Sequence, residues 1–167
     1  MKEVYIAGDI MSYGSQMEAK RIEEILERKG IPFYSARLNK EINDKKNQTQ
    51  ESNDHLAEQI VEQDNEVIHR CHNFIINYNP HAVGTLIEMG QIYNLWLQAQ
   101  EITIPTINII VLCDDIRRTD IPEVGDRRSW SINQYAYGVI LDMTHGRGIT
   151  PIDELEEAVE TWTTEES

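Results

Sequence analysis

Apolar positions recur along this chain with two alternating periods. Val4-Tyr5-Ile6-Ala7 is a short continuous apolar run closed by Gly8-Asp9-Ile10, which predicts a buried strand. Over 15–29 the spacing becomes that of an amphipathic helix, with Ile22, Ile25 and Leu26 inward and a stop at Lys29-Gly30. Ile31-Pro32-Phe33-Tyr34 predicts a second strand, placed towards an edge because proline lacks a ladder donor. Residues 37–52 are polar and aperiodic, which predicts a long loop that acts as a flexible flap. Asn53 or Asp54 then caps a helix running to about His69, with Leu56, Ile60, Asp64, Val67 and Ile68 as its inward stripe.

The alternation continues. A third strand over 74–78 precedes a third helix over 85–100, apolar on several sides and expected to be well buried. The β-branched run over 106–112 suits a central parallel strand. A charged loop follows over 113–128, then a helix over 130–143 with Ile132, Tyr135, Ala136, Val139 and Ile140 as its stripe, broken by Gly146 and Gly148. Thr150 and Pro151 open a last helix to about Trp162, with Leu155, Ala158, Val159 and Trp162 inward. This predicts one α/β domain over 1–167: a flavodoxin/Rossmann-like parallel sheet with helices on both faces, in strand order 2-1-3-4 with a short fifth strand near Ile149.

Charge narrows the partners. The net charge of −14 argues against nucleic acid, whose phosphates demand Lys and Arg, and against an anionic membrane surface. The longest apolar stretch, over 102–113, is interrupted by Pro105 and Asn108 and is too short to span a bilayer. Two cysteines, Cys71 and Cys113, make no disulfide framework. With a strand starting at the N-terminus and no leader pattern, the expected location is cytoplasmic. No cofactor is expected, since G-x-G-x-x-G and Walker A patterns are absent. His69-x-Cys71-His72 lacks a second pair at zinc spacing, and no metal is expected there.

Two carboxylates carry the candidate chemistry. Thr85-x-x-Glu88 first reads as a capping box, whose loss costs about 1 kcal/mol. Yet Glu88 also begins the face Glu88, Ile92, Leu95, Ala99, and Gly84 and Gly90 leave room for a close approach to the backbone. The strand-to-helix junction it occupies is where open α/β sheets bind ligands. Asp64 interrupts an otherwise apolar stripe, so it is either a hydrogen-bonded structural residue or held for a reaction.

Val4-Tyr5-Ile6-Ala7-Gly8, then Glu62-Gln63-Asp64, then Gly84-Thr85-x-x-Glu88-x-Gly90 resemble the signature of the nucleoside 2-deoxyribosyltransferase family over about residues 3–112. The 2′-deoxynucleoside 5′-monophosphate N-glycosidases are related to it. The resemblance implies that Glu88 is a nucleophile, that Tyr5 orients it and that Asp64 handles the nucleobase proton. It places Gly8, Asp9, Ile10, His81, Ala82 and Gly84 around the substrate. It also implies a homodimer or higher oligomer in which Asn133 reaches the sugar of a neighbouring site. With Trp130, Tyr135 and Tyr137 near Asn133, the C-terminal third is expected to pack against a second subunit. The partners it implies are a 2′-deoxynucleoside and a free nucleobase. There are two departures. Ala82 stands where the transferases carry Asp and the hydrolases Ser, leaving that sugar contact missing or supplied by Asp9 or His81. Asp9 replaces a phosphate nest and should repel a 5′-phosphate. The chemistry fits independently, because an oxocarbenium-like transition state needs one carboxylate below the ring and a second acid at the leaving group. The expectation is transfer of 2-deoxyribose through a covalent glycosyl-Glu88 intermediate. The alternatives are an N-glycoside hydrolase and a non-catalytic nucleoside sensor.

Overall fold

Side chains alternate across each strand, and this divides the interior into two layers. A computed structural model describes residues 3–43, 46, 49–101, 106–113 and 132–164. Four parallel strands, β1 (Val4–Gly8), β2 (Phe33–Ser35), β3 (Asn73–Asn77) and β4 (Asn108–Leu112), lie in the order β2-β1-β3-β4, as the sequence predicts. The register pairs Tyr5 with Tyr34 on one side and with Phe74 on the other.

Tyr5, Ala7, Phe74, Ile76, Ile109 and Val111 face one helical layer, α4 (Leu56–Arg70), α5 (Val83–Glu101) and α6 (Gln134–Met143). Val4, Ile6, Ile75, Ile110 and Leu112 face the other, α1 (Tyr13–Arg28) and α7 (Leu155–Thr164). Both faces are therefore covered, which explains why the strands read as apolar runs rather than as alternation. The seam between α1 and α7 is rimmed by exposed ion pairs, Arg28–Glu156 at 3.0 Å and Lys29–Glu156 at 3.1 Å among them. Such pairs add little to stability. No helix among the described residues is long and apolar enough to cross a membrane.

Several boundaries differ from the sequence reading, each for a local reason. The first helix starts at Tyr13, because Ser12 caps it by accepting from the Ser15 amide at 3.0 Å. The stretch over 37–52 is not a plain loop. It holds a 3-10 turn at Ala36–Leu38 and two short helices, α2 (Lys40–Asn43) and α3 (Gln50–Asp54), and Ile42 anchors it at 2% exposure. Asn53 and Asp54 end α3 instead of capping α4, which follows His55 with no side-chain cap. The sixth helix begins at Gln134, capped by Asn133. Thr150 does not cap the last helix. Its amide donates to the Val111 carbonyl at 2.8 Å, its hydroxyl has no partner among the described residues, and Pro151 opens a 3-10 turn at Ile152–Glu154 before α7. Among the described residues the fifth strand is reduced to an isolated parallel bridge between Val111 and Ile149, beside that amide. Gly146 and Gly148, at φ 81° and 77°, turn the chain just before the bridge and Pro151 ends it just after. Finally, α5 is buried on one side only, since Val83 and Ile87 are 67% and 59% exposed. The stretch expected to be a charged loop lies, beyond Cys113, outside the described residues, as do Trp130 and the tail over 165–167.

Candidate active site

Two tyrosines on adjacent strands organise the site. Tyr5 on β1 is fully buried, and Tyr34 is its register partner on β2, so both rings point into the layer of α4 and α5. Their rings stack with centroids 5.6 Å apart and planes 14° from parallel. Each hydroxyl holds one carboxylate. Tyr5 donates to Glu88 Oε1 at 2.5 Å, and Tyr34 donates to Asp64 Oδ1 at 2.8 Å. Glu88 comes from α5 and Asp64 from α4, so four elements converge on one cluster.

The capping-box reading of Glu88 is thereby overturned. The helix begins three residues earlier than that reading needs, with the Leu86 amide donating to the Ala82 carbonyl at 3.0 Å. Thr85 is then the third helical residue and buried at 3% exposure, and Glu88 has turned inward to Tyr5. The stripe that contains Asp64 is as predicted, with Val67 and Ile68 buried and Asp64 half-buried beside them.

Among the described residues neither carboxylate has a cationic partner, and burial dominates both. Desolvation lifts Glu88 to about 7; the Tyr5 hydrogen bond pulls against this and the nearby charge of Asp64 adds to it. Desolvation likewise raises Asp64, opposed by the Tyr34 hydrogen bond. Burial and the two carboxylates raise both tyrosines far above their ordinary range, so both hydroxyls remain donors. Two acids that sense each other titrate as a pair.

The other predicted residues sit around the strand ends in different ways. Asp9 is fully engaged: Oδ1 accepts from the Met11 amide at 2.9 Å and Oδ2 from Ser15 Oγ at 2.7 Å. The Ile10 carbonyl accepts from Gln16 at 2.9 Å, and a Cβ at Gly8 would meet Asn77 at an ordinary 3.5 Å. His81 is exposed, its amide bonded to Asn79 Oδ1 at 2.9 Å. Ala82 is buried, and a Cβ at Gly84 or Gly90 would meet nothing within 4 Å. Asn133 is exposed, and its Oδ1 accepts from the Tyr135 and Ala136 amides at 2.9 and 3.3 Å, outside the tyrosine–carboxylate cluster. Beside it Tyr135 is 81% exposed, whereas Tyr137 is buried in the chain's own core and is not available for a contact. Among the described residues no group of three or more His, Cys, Asp or Glu is placed to hold a metal. Cys71 is buried against Glu3, and burial pushes its thiol up to about 12.

Tyr34 escapes the sequence reading. Its signal is its register with Tyr5, visible only once the two strands are laid side by side.

The model of a family described as nucleoside 2-deoxyribosyltransferase matches residues 4–143. The fold is similar to that of a 2-deoxyribosyltransferase from the psychrotolerant bacterium Bacillus psychrosaccharolyticus, with a TM-score of 0.51 and 17% identity over 82% of this chain and 81% of that one. It is also similar to a conserved protein from Enterococcus faecalis V583, with a TM-score of 0.63 and 20% identity over 96% and 98% of the two chains. At such identities the likeness is one of fold. Among curated proteins none matches the chain.

Proposed function

The chain belongs to the nucleoside 2-deoxyribosyltransferase family, and from that premise we propose that it moves 2-deoxyribose from one nucleobase to another through an ester on Glu88. The carrying observation is the Tyr5–Glu88 hydrogen bond at 2.5 Å, made to a carboxylate that burial has lifted to about 7. Such a group is partly ionised near neutral pH and poorly solvated, which suits a nucleophile.

In the first half-reaction the free Glu88 oxygen attacks the anomeric carbon. The glycosidic C–N bond breaks with its electron pair going to the base, and Asp64 gives that nitrogen a proton. In the second, an incoming base attacks the same carbon, the ester bond breaks back to the Glu88 carboxylate, and Asp64 takes the proton of the new base. The reactive form needs Glu88 ionised and Asp64 protonated. A proton on Asp64 removes the charge that helps to hold Glu88 up, so the two requirements support each other. Atoms and protons balance over the cycle without a cofactor. The Asp9 carboxylate, fixed at the first turn of α1, favours a neutral deoxynucleoside over its 5′-monophosphate. Asn133 is assigned to the sugar of a neighbouring subunit's site in a homo-oligomer, its exposed side chain lying beside the exposed Tyr135.

The test is incubation with a 2′-deoxynucleoside, with and without a second free base, followed by chromatography. A new deoxynucleoside supports transfer. Free deoxyribose alone makes the protein a hydrolase, and binding without turnover makes it a sensor. Trapped sugar should map to Glu88.

A further inference from the structure

We infer that Asn39, acting through Tyr34, is a positioning device for Asp64: it fixes which oxygen of Asp64 carries the proton to the base. The inference rests on the assignment of Asp64 as the proton-handling acid.

Hydrogen-bond direction is fixed along a chain of side chains from Asn39 to Asp64. Asn39 Oδ1 accepts from the Glu41 amide at 3.1 Å, so its nitrogen must face the other way. That nitrogen donates to Gln63 Oε1 at 2.7 Å and to the Tyr34 hydroxyl oxygen at 3.2 Å. Gln63 is oriented in turn, because its Nε2 donates to Glu41 Oε2 at 2.9 Å. An amide nitrogen cannot accept, so the Tyr34 oxygen is the acceptor towards Asn39 and its single hydrogen is left for Asp64 Oδ1, 2.8 Å away. A carboxyl that accepts on Oδ1 carries its own proton on Oδ2. Oδ2 is therefore the oxygen that meets the nucleobase.

The arm that holds Asn39 is built rather than loose. Asn39 follows the 3-10 turn Ala36–Leu38 and precedes α2, whose Ile42 is buried and whose Asn43 side chain bonds back to the Ala36 carbonyl. Arg37 in the same turn pairs with the buried Glu23 of α1. The Tyr34 ring is held against Tyr5, so the donor to the acid and the donor to the nucleophile form one stacked unit. The titratable groups that face Asp64 are Tyr34 from β2, Tyr5 from β1 and Glu88 from α5. Both tyrosines stay protonated, so Asp64 and Glu88 do the titrating.

Two variants of the full chain test this, Tyr34→Phe and Asn39→Asp. The first deletes the donor but keeps the ring stack. The second turns the partner of Tyr34 from donor to acceptor and draws the hydroxyl hydrogen away from Asp64. With a 2′-deoxynucleoside and a free base as probes, both should lower kcat about tenfold, the effect of one hydrogen bond, and leave KM within about twofold. Both should also move the alkaline limb of the kcat profile to higher pH, because Asp64 loses the bond that lowers it. Wild-type kcat and an unmoved limb in Tyr34→Phe overturn the inference. Titration of the Asp64 carboxyl by 13C NMR, assigned with Asp64→Asn, decides it without turnover. The titration should rise by about half to one pH unit in both variants, and an unmoved titration refutes the device. A wild type that makes no product fails as a transferase, and the NMR result still stands or falls on its own.

Discussion

Glu23 and Glu88 are two glutamates withdrawn from water on opposite faces of the same sheet, and the fold treats them in opposite ways. Glu23, on α1, is 3% exposed and fully compensated: Oε1 accepts from Ser35 Oγ at 2.6 Å and from Arg37 Nε at 3.1 Å, and Oε2 pairs with Arg37 Nη2. Glu88 receives one tyrosine hydroxyl, and the charge that most affects it is the like charge of Asp64. A buried carboxylate that only holds structure needs a cation and spare donors, because desolvation otherwise costs several kcal/mol. A carboxylate that must attack carbon cannot be so well satisfied. The contrast separates the corner that fixes the fold, where β2 runs into the 3-10 turn, from the start of α5, where a carboxylate withdrawn from water is left with one hydroxyl donor.

The largest effect should fall on rate. Glu88→Ala should lower transfer by about 10⁴ or more, since no other group among the clustered side chains is placed to carry the sugar ester. It should leave a folded protein. A variant that retains wild-type turnover per folded molecule would end the reading of Glu88 as nucleophile.

Glu23→Ala should do the reverse. It strands a partly buried guanidinium and a buried serine, so denaturant unfolding should show a loss of about 3 kcal/mol or more. The protein that remains folded should keep its acid limb near pH 7, the limb set by Glu88. A stable Glu23→Ala protein with an altered acid limb would erase the distinction between the two glutamates.

Stability should also depend on pH through Glu88. Its folded proton affinity is raised, from an ordinary 4.5 to about 7, so the folded state binds the proton more tightly than the unfolded chain. Its contribution is therefore fully present below pH 4.5 and is lost as pH rises through about 7, a loss of up to about 3 kcal/mol. Glu88→Gln keeps an acceptor for Tyr5 and removes the ionisation. Relative to wild type it should melt higher at pH 8 by several degrees, with the advantage gone at pH 4.5. Parallel melting curves at the two pH values would contradict the uncompensated burial of Glu88.

How much of this was legible in the sequence depended on range. The parallel sheet and its order followed from apolar runs and helical stripes, because period-two and 3.6-residue patterns are written locally and repeatedly. The Asp64 stripe was legible for the same reason. The capping box is ambiguous as a local pattern, since Thr85-x-x-Glu88 looks the same whether the helix starts at Leu86, after a Thr85 cap, or at Val83. Glu23 was hidden because Glu23, Glu24 and Glu27 are alike in the chain and only Ser35 and Arg37, 12 and 14 residues on, single one out. Asn39 lay in a stretch with no period at all, and its meaning comes from Gln63, 24 residues away. Polar networks between elements leave no periodic trace, which is why Glu88 and Asp64 stand out in the sequence and the groups around Asp64 do not.

The smallest effect should also be the most diagnostic. Tyr5→Phe removes the hydroxyl that lowers the proton affinity of Glu88 and leaves the ring, so stacking on Tyr34 and packing against Phe74 survive. Without the donor, burial and the Asp64 charge act alone on Glu88, and its titration should climb above 7. The acid limb of the kcat profile should then move to higher pH, with a loss at neutral pH of roughly tenfold to a hundredfold. Tyr34→Phe removes the matching donor from Asp64 and should instead move the alkaline limb. Two tyrosines in one stack should thus control opposite sides of one bell, each through its own carboxylate. If Tyr5→Phe leaves the acid limb in place, or if both variants move the same limb, the two carboxylates do not divide the roles of nucleophile and acid as their surroundings imply.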